Sequence, residues 1–361
     1  MTHSRASLAL LPAGLKPGFL SLEDSSLASW LEQGQESPYR TRQIAAWILE
    51  KRALSFEQMT DLPARLRDSL VQSFNLFSSR IDCHKVSLDD TNKLLLQLED
   101  GNRVECVLMK EETRRTVCVS TQVGCAMGCV FCASGIDGVV RNLRPHEILE
   151  QMIHARNLLP KEERLTHVVV MGMGEPLTNL EALLEALALA CSPKGLGLGA
   201  RNVTISTVGL PVQIRKLADL KKQFHLAVSL HAPNQDLRSR IVPVNARVGI
   251  EEVLAAADYF FDTTGRQVTF EYILLGGVND HAEHARELLQ LLQGRKAHVN
   301  LIPFNRVVGL PYQRPTPEAT REFARILKQA GQSVTIRKRK GADIDAACGQ
   351  LRRNQEQAQS G

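Results

Sequence analysis

Three cysteines stand close together in the sequence with a spacing that suits metal binding. They follow the pattern C-x3-C-x2-C, at Cys125, Cys129 and Cys132. A structural zinc site uses four ligands, usually in two pairs, and the sequence offers no second C-x2-C or H-x3-H pair. Three thiolates on one loop can instead bind three irons of a [4Fe-4S] cluster and leave the fourth iron open. That iron could chelate S-adenosylmethionine (SAM), whose reductive cleavage yields a 5'-deoxyadenosyl radical.

A second motif, Met173-Gly174-Glu175-Pro176, follows a stretch of β-branched residues. Glycine lets the backbone approach a ligand closely, and a glutamate can pair with an ammonium group. Read alone, the motif also fits an ordinary turn after a strand. Beside the cysteine triplet, it favours a site for the ammonium group of SAM.

The other cysteines carry less information. The chain has eight cysteines and no secretion signal, which argues against a framework of structural disulfides. Cys83, Cys106 and Cys191 have no motif around them, and we interpret them as buried small side chains. Cys118, read alone, is also best explained as a structural thiol, and Cys348 has no zinc partner nearby.

Three separated segments resemble one known family. Residues Cys118–Gly124 with the triplet that follows, residues Met171–Pro176 and residues Asp343–Leu351 are similar to the RlmN/Cfr family of radical SAM RNA methyltransferases. The resemblance extends over nearly the whole chain, with the motifs in the same order. It implies one [4Fe-4S] cluster ligated by Cys125, Cys129 and Cys132, and two SAM molecules per turnover.

The resemblance also implies a set of SAM-binding residues. All of them follow or end predicted strands, where ligands of parallel sheets bind. His231, taken alone, is more often a satisfied core histidine. The implied residues are Gly174, Glu175, Ser206, Ser229, Leu230, His231 and Asn305.

Three further residues match catalytic positions of the family. Cys348 would take a methyl group from one SAM, and a radical made from the second SAM would then remove a hydrogen atom from that methyl group. The resulting methylene radical would add to an adenine carbon, for which Glu105 matches the proton acceptor. Cys118 matches the resolving thiol, which would form a transient disulfide with Cys348. Without the resemblance, Glu105 would be interpreted as a solvated strand residue.

The family has two branches with different targets. The RlmN branch methylates C2 of an adenine in the peptidyl-transferase region of 23S rRNA and of the tRNA adenine next to the anticodon. The Cfr branch methylates C8 of the same ribosomal adenine. Residues 133–143 depart from the usual RlmN pattern, so both branches stay open. We predict the C2 reaction on 23S rRNA, with tRNA as a second candidate substrate.

Two other functions are also compatible with the residues. One is a zinc-containing RNA-binding protein without catalysis, and the other is a radical SAM enzyme acting on a small molecule or peptide. The second gives no reason for Cys118 and Cys348 to occur together. We expect a monomer that receives electrons from flavodoxin or ferredoxin.

The elements that must position these residues alternate between strands and helices. Alternation of this kind predicts a parallel sheet with catalytic residues at the carboxyl ends of its strands. Six units leave a partial barrel and an open doubly wound sheet as alternatives within an α/β fold, and the family resemblance implies the partial (β/α)6 radical SAM barrel. The predicted strands are 116–121, 166–171, 202–206, 225–230, 267–274 and 297–302, and helices are predicted at 147–159, 180–191, 250–261 and 282–292.

The predicted domains follow from this pattern. Residues 1–95 are assigned to a small N-terminal helical accessory domain that could bind RNA, with helices between residues 39 and 77. Residues 96–361 are assigned to the methyltransferase domain. Within it, the barrel spans about 112–335 and a catalytic C-terminal tail spans 336–354. A hairpin is predicted between residues 93 and 109.

The composition restricts the class of protein. The 361 residues include 44 Lys and Arg against 39 Asp and Glu, and 43% are hydrophobic, which is typical of a globular protein. No apolar run reaches the length of a transmembrane helix, and we expect a cytoplasmic protein without membrane contact. Basic clusters at 114–115, 337–340 and 352–353 suit either RNA phosphates or a solvated surface.

Overall fold

The computed structural model describes residues 16–351. The basic pair at 352–353 and the last three residues of the predicted catalytic tail, 352–354, lie outside this range. The described part of the chain has a helical region before the sheet, as predicted between residues 39 and 77. Its helices bury residues four positions apart, such as Ile44 with Ile48 and Leu66 with Leu70, and this is the spacing of one helix face. The helices are α1 (Asp24–Gln33), α2 (Tyr39–Leu49) and α3 (Ala64–Ser73).

Within residues 16–351, ten strands form the central sheet. They are β1 (Arg80–Val86), β2 (Asn92–Gln97), β3 (Arg103–Lys110), β4 (Arg115–Cys118), β7 (His167–Val170), β8 (Val203–Thr207), β9 (His225–Ser229), β10 (Val268–Leu274), β11 (Ala297–Pro303) and β12 (Ser333–Ile336). Their order is β1-β2-β3-β4-β7-β8-β9-β10-β11-β12. The first four strands pair antiparallel, and every pair from β4 to β12 is parallel. A second sheet of two strands pairs β5 (Gln122–Gly124) with β6 (Val139–Asn142).

The six strands predicted from the sequence are confirmed as β4, β7, β8, β9, β10 and β11. Helices connect these strands, so the expected partial (β/α)6 barrel is confirmed. Leu226, Ala227 and Val228 of β9 are all buried, as is usual for a parallel strand covered on both faces. The connecting helices are α4 (Pro145–Asn157), α5 (Leu180–Cys191), α6 (Pro211–Asp219), α7 (Gln235–Ile241), α8 (Ile250–Thr264), α9 (Ala282–Leu291) and α10 (Pro317–Gln329).

The predicted hairpin is confirmed as β2 and β3, and it extends the parallel sheet rather than standing apart from it. Glu105 of β3 lies opposite Leu95 of β2, and Val107 of β3 lies opposite Cys118 of β4. Residue 95, where the domain boundary was assigned, therefore lies inside a strand of the main sheet. Within residues 16–351, no helix has the length and apolar character needed to cross a bilayer.

Candidate active site

The cysteine triplet lies on a tight loop that follows β5. Gly124 begins the loop with φ +81°, and a Cβ there would lie 2.0 Å from the carbonyl oxygen of Gly138. The Cys125 N–H donates to that same oxygen (3.0 Å), and the Cys132 N–H donates to the Cys129 carbonyl (3.1 Å). Only glycine fits this approach, because any side chain would push β5 away from the start of β6. The hairpin β5–β6 thus closes the loop and fixes the spacing of its thiols.

The three thiols open into one cavity together with most of the predicted SAM-binding residues. We call it the first cavity. It lies at the carboxyl ends of the parallel strands, where sequence reasoning placed the site. Its lining includes Cys125, Cys129, Cys132, Gly174, Glu175, Ser206, Ser229, His231 and Cys348.

Glu175 is a buried carboxylate held by backbone amides. The N–H groups of Leu177 and Val208 donate to its Oε1 (3.0 Å) and Oε2 (2.8 Å). Its own N–H donates to Gln122 Oε1 (2.8 Å). Burial raises the pKa of Glu175 to about 7, although the hydrogen bonds oppose the shift. A positive ligand group in the first cavity would therefore find an oriented carboxylate whose ionisation the ligand itself would favour.

His231 also lines the first cavity, in an unusual backbone conformation. Its φ is +63°, which costs a non-glycine residue energy and marks functional sites more often than others. The Ile273 N–H donates to its Nδ1 (3.1 Å), so the neutral ring carries its proton on Nε2. Burial, with a smaller effect of Arg238, lowers the pKa of His231 to about 3. The Nε2–H group of the uncharged ring can therefore donate a hydrogen bond to a ligand.

Two of the implied SAM-binding residues lie elsewhere. Leu230 is fully buried in the core; its N–H donates to the Glu271 carbonyl (3.0 Å), and its own carbonyl accepts from Arg238 Nε (3.1 Å). Asn305 lines the neighbouring cavity, and its Nδ2 donates to the carbonyl of Cys348 (3.3 Å). The structure thus places Asn305 against the C-terminal segment rather than among the residues that line the first cavity.

A second cavity adjoins the first and contains both Cys118 and Cys348. The two cavities share Met171, Ile302, Arg337 and Cys348. Burial, and then the nearby sulfur of Cys348, raise the pKa of the Cys118 thiol to about 12, while Arg337 opposes the shift. Cys348 therefore stands at the junction, with the cysteine triplet on one side and Cys118 on the other.

Glu105 lies on the same face of the sheet as Cys118. Val107 is directly opposite Cys118, and residues two apart on a strand share a face, so Glu105 points to that side as well. Glu105 is 1% exposed and pairs with Lys93 of β2, whose Nζ is 3.1 Å from Oε1. The sequence without the family resemblance predicts that Glu105 is a solvated strand residue. That prediction is wrong, because the side chain is buried.

The segment that carries Cys348, residues 337–351, docks on both the sheet and the cysteine loop. We call it the C-terminal segment. The Leu88 N–H donates to Asp343 Oδ2 (3.2 Å), which ties the segment to the β1–β2 turn. The Ala133 N–H donates to the Gly349 carbonyl (2.8 Å), and Ser134 Oγ donates to the Leu351 carbonyl (2.8 Å). These contacts bring Cys348 and the triplet together, although they are far apart in sequence.

The donor set fits the predicted cluster. Within residues 16–351, no three His, Cys, Asp or Glu side chains are arranged to hold a single metal ion. A cubane differs from a single ion, because each thiolate binds its own iron and the sulfur atoms stay apart. Three thiols on one loop, facing a cavity with room for a further ligand, suit such a cluster on the chemistry of their donors.

The chain is similar to known proteins along almost its whole length. Residues 119–291 match the sequence profile of the Radical SAM superfamily, and residues 18–76 match that of the ribosomal RNA large subunit methyltransferase N-terminal domain. A probable dual-specificity RNA methyltransferase RlmN from Rhodopirellula baltica is 56% identical over 91% of this chain and 88% of its own length. A protein of the same description from Bacillus licheniformis is 45% identical over 96% of each chain.

This chain belongs to the RlmN family of radical SAM RNA methyltransferases. The crystal structure of a radical SAM methyltransferase from Sphaerobacter thermophilus has the same fold, with a TM-score of 0.88 and 43% identity over 92% of this chain and 98% of that one. The cofactors of the present chain are accordingly a [4Fe-4S] cluster and SAM.

Sequence reasoning missed two charged residues of this RlmN-family site. Arg337 lines both cavities and donates to Met171 Sδ (3.4 Å). Arg238 of α7 is fully buried, and its guanidinium donates to the carbonyl oxygens of Val208 and Leu230, which follow β8 and β9. Arg337 belongs to a predicted basic cluster, and the residue types of this cluster do not distinguish the side chain that points inward from the exposed Lys338 and Arg339. A lone arginine such as Arg238 carries no spacing signal.

Proposed function

We propose that this protein methylates C2 of an adenine in the peptidyl-transferase region of 23S rRNA, through an S-methylcysteine at Cys348. The tRNA adenine next to the anticodon is a second proposed substrate, since relatives are described as probable dual-specificity RNA methyltransferases. The observation that carries the proposal is the position of Cys348, which lines both the cavity of the cysteine triplet and the cavity of Cys118. One thiol there can meet the cofactor on one side and the RNA on the other.

A covalent relay is needed because adenine C2 and C8 are too weakly nucleophilic to attack a sulfonium methyl group. Bound at Cys125, Cys129 and Cys132, the cluster with SAM supplies an electrophilic methyl group and a hydrogen-abstracting radical. Glu175 binds the ammonium group of SAM in this scheme. Cys348 takes the methyl group of one SAM by displacement and loses a hydrogen atom from it when a second SAM is cleaved.

The next steps release the product from Cys348. Its methylene radical adds to the adenine carbon, and Glu105 accepts the proton of the ring C–H bond. The Cys118 thiolate then attacks the Cys348 sulfur, so an S–S bond forms as the S–CH2 bond breaks. The methylene carbon takes up a proton and becomes the methyl group, and the one surplus electron would pass to the [4Fe-4S] cluster that Cys125, Cys129 and Cys132 would hold, which gave up one electron when SAM was cleaved. A two-electron reduction of the disulfide by an external thiol restores both thiols. We propose flavodoxin or ferredoxin as the electron donor of the enzyme.

The second cavity suits an RNA substrate. Arg314, Lys338, Arg339 and Lys340 line it next to Cys118 and Cys348. A basic rim binds phosphates, and an adenine unstacked from a loop could then reach Cys348. We propose that the protein acts as a monomer in the cytoplasm. Arg115, from another predicted basic cluster, instead pairs with Glu163.

Replacing Cys118 with alanine tests the relay. The Cys118→Ala variant should still load a methyl group on Cys348 and attack the RNA, but without a resolving thiol it should accumulate a protein–RNA adduct. A slowly migrating band on a denaturing gel, with an intact Cys348–RNA linkage by mass spectrometry, measures this. The matched control is Cys83→Ala. Absence of the adduct in a Cys118→Ala protein that still cleaves SAM would remove Cys118 from the resolving role.

Two measurements separate the other candidate functions. Mass spectrometry of nucleosides from treated RNA distinguishes 2-methyladenosine from 8-methyladenosine, and the second product would assign the C8 reaction. Iron and sulfide analysis of anaerobically purified protein tests the zinc-containing RNA-binding alternative. About four irons per chain are expected for one cubane.

A further inference from the structure

Lys93 is buried beside the proposed proton acceptor. Its side chain is 5% exposed, and its Nζ lies 3.1 Å from Glu105 Oε1. Lysine is almost never so buried unless it is paired. Lys93 of β2 lies opposite Val107, two residues from Glu105 on the same face of β3, so the pair is diagonal across two strands. The β2–β3 hairpin therefore fixes this ion pair directly beneath the C-terminal segment.

The same ammonium group also holds the C-terminal segment. Lys93 Nζ donates to the carbonyl oxygen of Asp345 (3.2 Å). Asp345 has φ +52°, a conformation that a non-glycine residue keeps only when its surroundings enforce it. Gly341, at the other end of this turn, accepts no side chain, since a Cβ there would lie 2.6 Å from that of Ala346. Lys93 thus links the Glu105 carboxylate to the turn that precedes Cys348.

We propose that Lys93 is a positioning residue that keeps Glu105 an oriented carboxylate, ready to take the adenine proton, and holds it in register with the Cys348 turn. The proposal rests on the proposed function of Glu105 and Cys348. A carboxylate buried without its cation is strongly disfavoured, so loss of Lys93 leaves Glu105 neutral or displaced. A neutral Glu105 cannot accept a proton. In the intact site the ring C–H bond breaks, its electron pair stays on the ring, and the proton passes to Glu105 beside an unchanged ammonium group.

This assignment predicts a defect at one step only. Methyl transfer to Cys348 and cleavage of SAM do not use Glu105, whereas release of methylated RNA does. The full-length holoenzyme with Lys93→Met should load Cys348 and form 5'-deoxyadenosine within about twofold of wild type. It should release methylated RNA roughly a hundredfold more slowly, which is the lower end of the rate loss expected when a general base is removed. The protein–RNA adduct should accumulate.

Three further variants make the test specific. Lys93→Gln keeps a donor for the Asp345 carbonyl but lacks the charge, and it should share the defect of Lys93→Met. Lys93→Arg keeps the charge and should restore release of methyladenosine. Lys85→Met is the matched control, because Lys85 is the exposed residue opposite Lys93 on β1, and it should behave as wild type.

The outcomes separate this inference from the proposed function. Release of methyladenosine at the wild-type rate by Lys93→Gln or Lys93→Met would overturn the assignment of Lys93. Loss of Cys348 methylation in Lys93→Gln would also overturn it, because Lys93 would then serve only the shape of the C-terminal segment. If wild-type protein itself forms no S-methylcysteine and no methyladenosine, the proposed function fails instead. Iron content and the urea unfolding midpoint confirm that each variant is folded.

Discussion

Arg337 shows how one side chain can serve both cavities. Its guanidinium lies close enough to the thiols of Cys348 and Cys118 to influence both, and, with a smaller effect of the Met171 backbone, it opposes the raised pKa of Cys118. A thiolate is the reactive form of cysteine both in displacement at a methyl group and in disulfide formation. The Arg337 side chain lines both cavities beside Cys348, so a fixed positive charge faces the two sulfurs that react.

Replacing Arg337 should therefore slow the loading of Cys348. In the Arg337→Met variant, methylation of Cys348 by SAM should fall by roughly tenfold or more, since each tenfold corresponds to about 1.4 kcal/mol of lost charge stabilisation. The measurement is the mass of the Cys348 peptide over time, with no RNA present. Arg339→Met removes an exposed charge from the same cavity and should leave loading unchanged. Equal rates in wild type and Arg337→Met would contradict the electrostatic role.

At this scale, residues that the sequence singles out by their spacing share one cavity in the structure. The triplet and the Gly174-Glu175 motif are each contiguous, so residue types and intervals alone point to a ligand. Lys93 has no such signal, because its partner Glu105 lies on another strand and only the register brings the two together. Arg238 has no such signal either, because only the fold brings it to the carbonyl groups of Val208 and Leu230.

The hairpin β5–β6 is the element on which the cysteine loop depends. Gly124 and Gly138 both have positive φ, +81° and +67°, yet they differ in their surroundings. A Cβ on Gly124 would lie 2.0 Å from the Gly138 carbonyl oxygen, whereas one on Gly138 would meet nothing within 4 Å. A side chain would therefore strain the backbone at either position, but only a side chain at Gly124 would also clash with a neighbouring atom.

This difference predicts unequal effects on the cluster. Gly124→Ala should open the hairpin and leave roughly one iron or fewer per chain after anaerobic reconstitution, instead of about four. Gly138→Ala carries the strain without the clash and should retain most of its iron. Iron and sulfide content, with the absorbance of the cluster, provides the measurement. Similar iron content in the two variants would show that the close approach of β5 to β6 does not position the thiols.

At the scale of elements, the sequence predicted the interior of the sheet but not its edges. The six parallel strands are apolar and bounded by helices with a clear buried face. The strands β1 and β12 were missed, and they are the two edge strands of the sheet. Their residues are mostly exposed, so neither has the continuous apolar run of the interior strands. The placement of the C-terminal segment could not be predicted either, since it depends on single hydrogen bonds to distant loops.

The helical region and the barrel are joined by polar contacts, most of them buried. Arg156 of α4 donates to the carbonyl of Ile48 (2.9 Å) at the end of α2, and Arg52 donates to the carbonyl of Pro160 (2.9 Å) after α4. Between α3 and β1, Glu150 of α4 accepts from the N–H groups of Ser78 and Ser79, both at 2.8 Å. Arginine and glutamate of α4 thus satisfy backbone groups that the two regions would otherwise bury unpaired.

Two titratable groups of this junction respond to pH in opposite directions. Burial raises the pKa of Glu150 to about 7, although four hydrogen bonds oppose the shift. Burial lowers the pKa of His154 to about 4, and Ser79 Oγ lies 3.1 Å from its Nε2. Between about pH 4.5 and 7 the folded Glu150 holds a proton that the unfolded chain has released, so rising pH favours unfolding. The folded His154 lacks a proton that the unfolded chain holds up to about pH 6.5, so rising pH favours folding.

The Glu150→Gln variant should therefore isolate the Glu150 contribution, because the His154 contribution is common to both proteins and cancels in their difference. Glutamine removes the Glu150 contribution, so the free energy of unfolding of the variant minus that of wild type should rise between about pH 4.5 and 7, by up to roughly 3 kcal/mol at 1.4 kcal/mol per unit. Urea unfolding across this range measures the difference, and Glu162→Gln, at an exposed position after α4, should give a flat one. A flat difference for Glu150→Gln would mean that the buried carboxylate stays ionised, with its four donors outweighing the loss of hydration on burial.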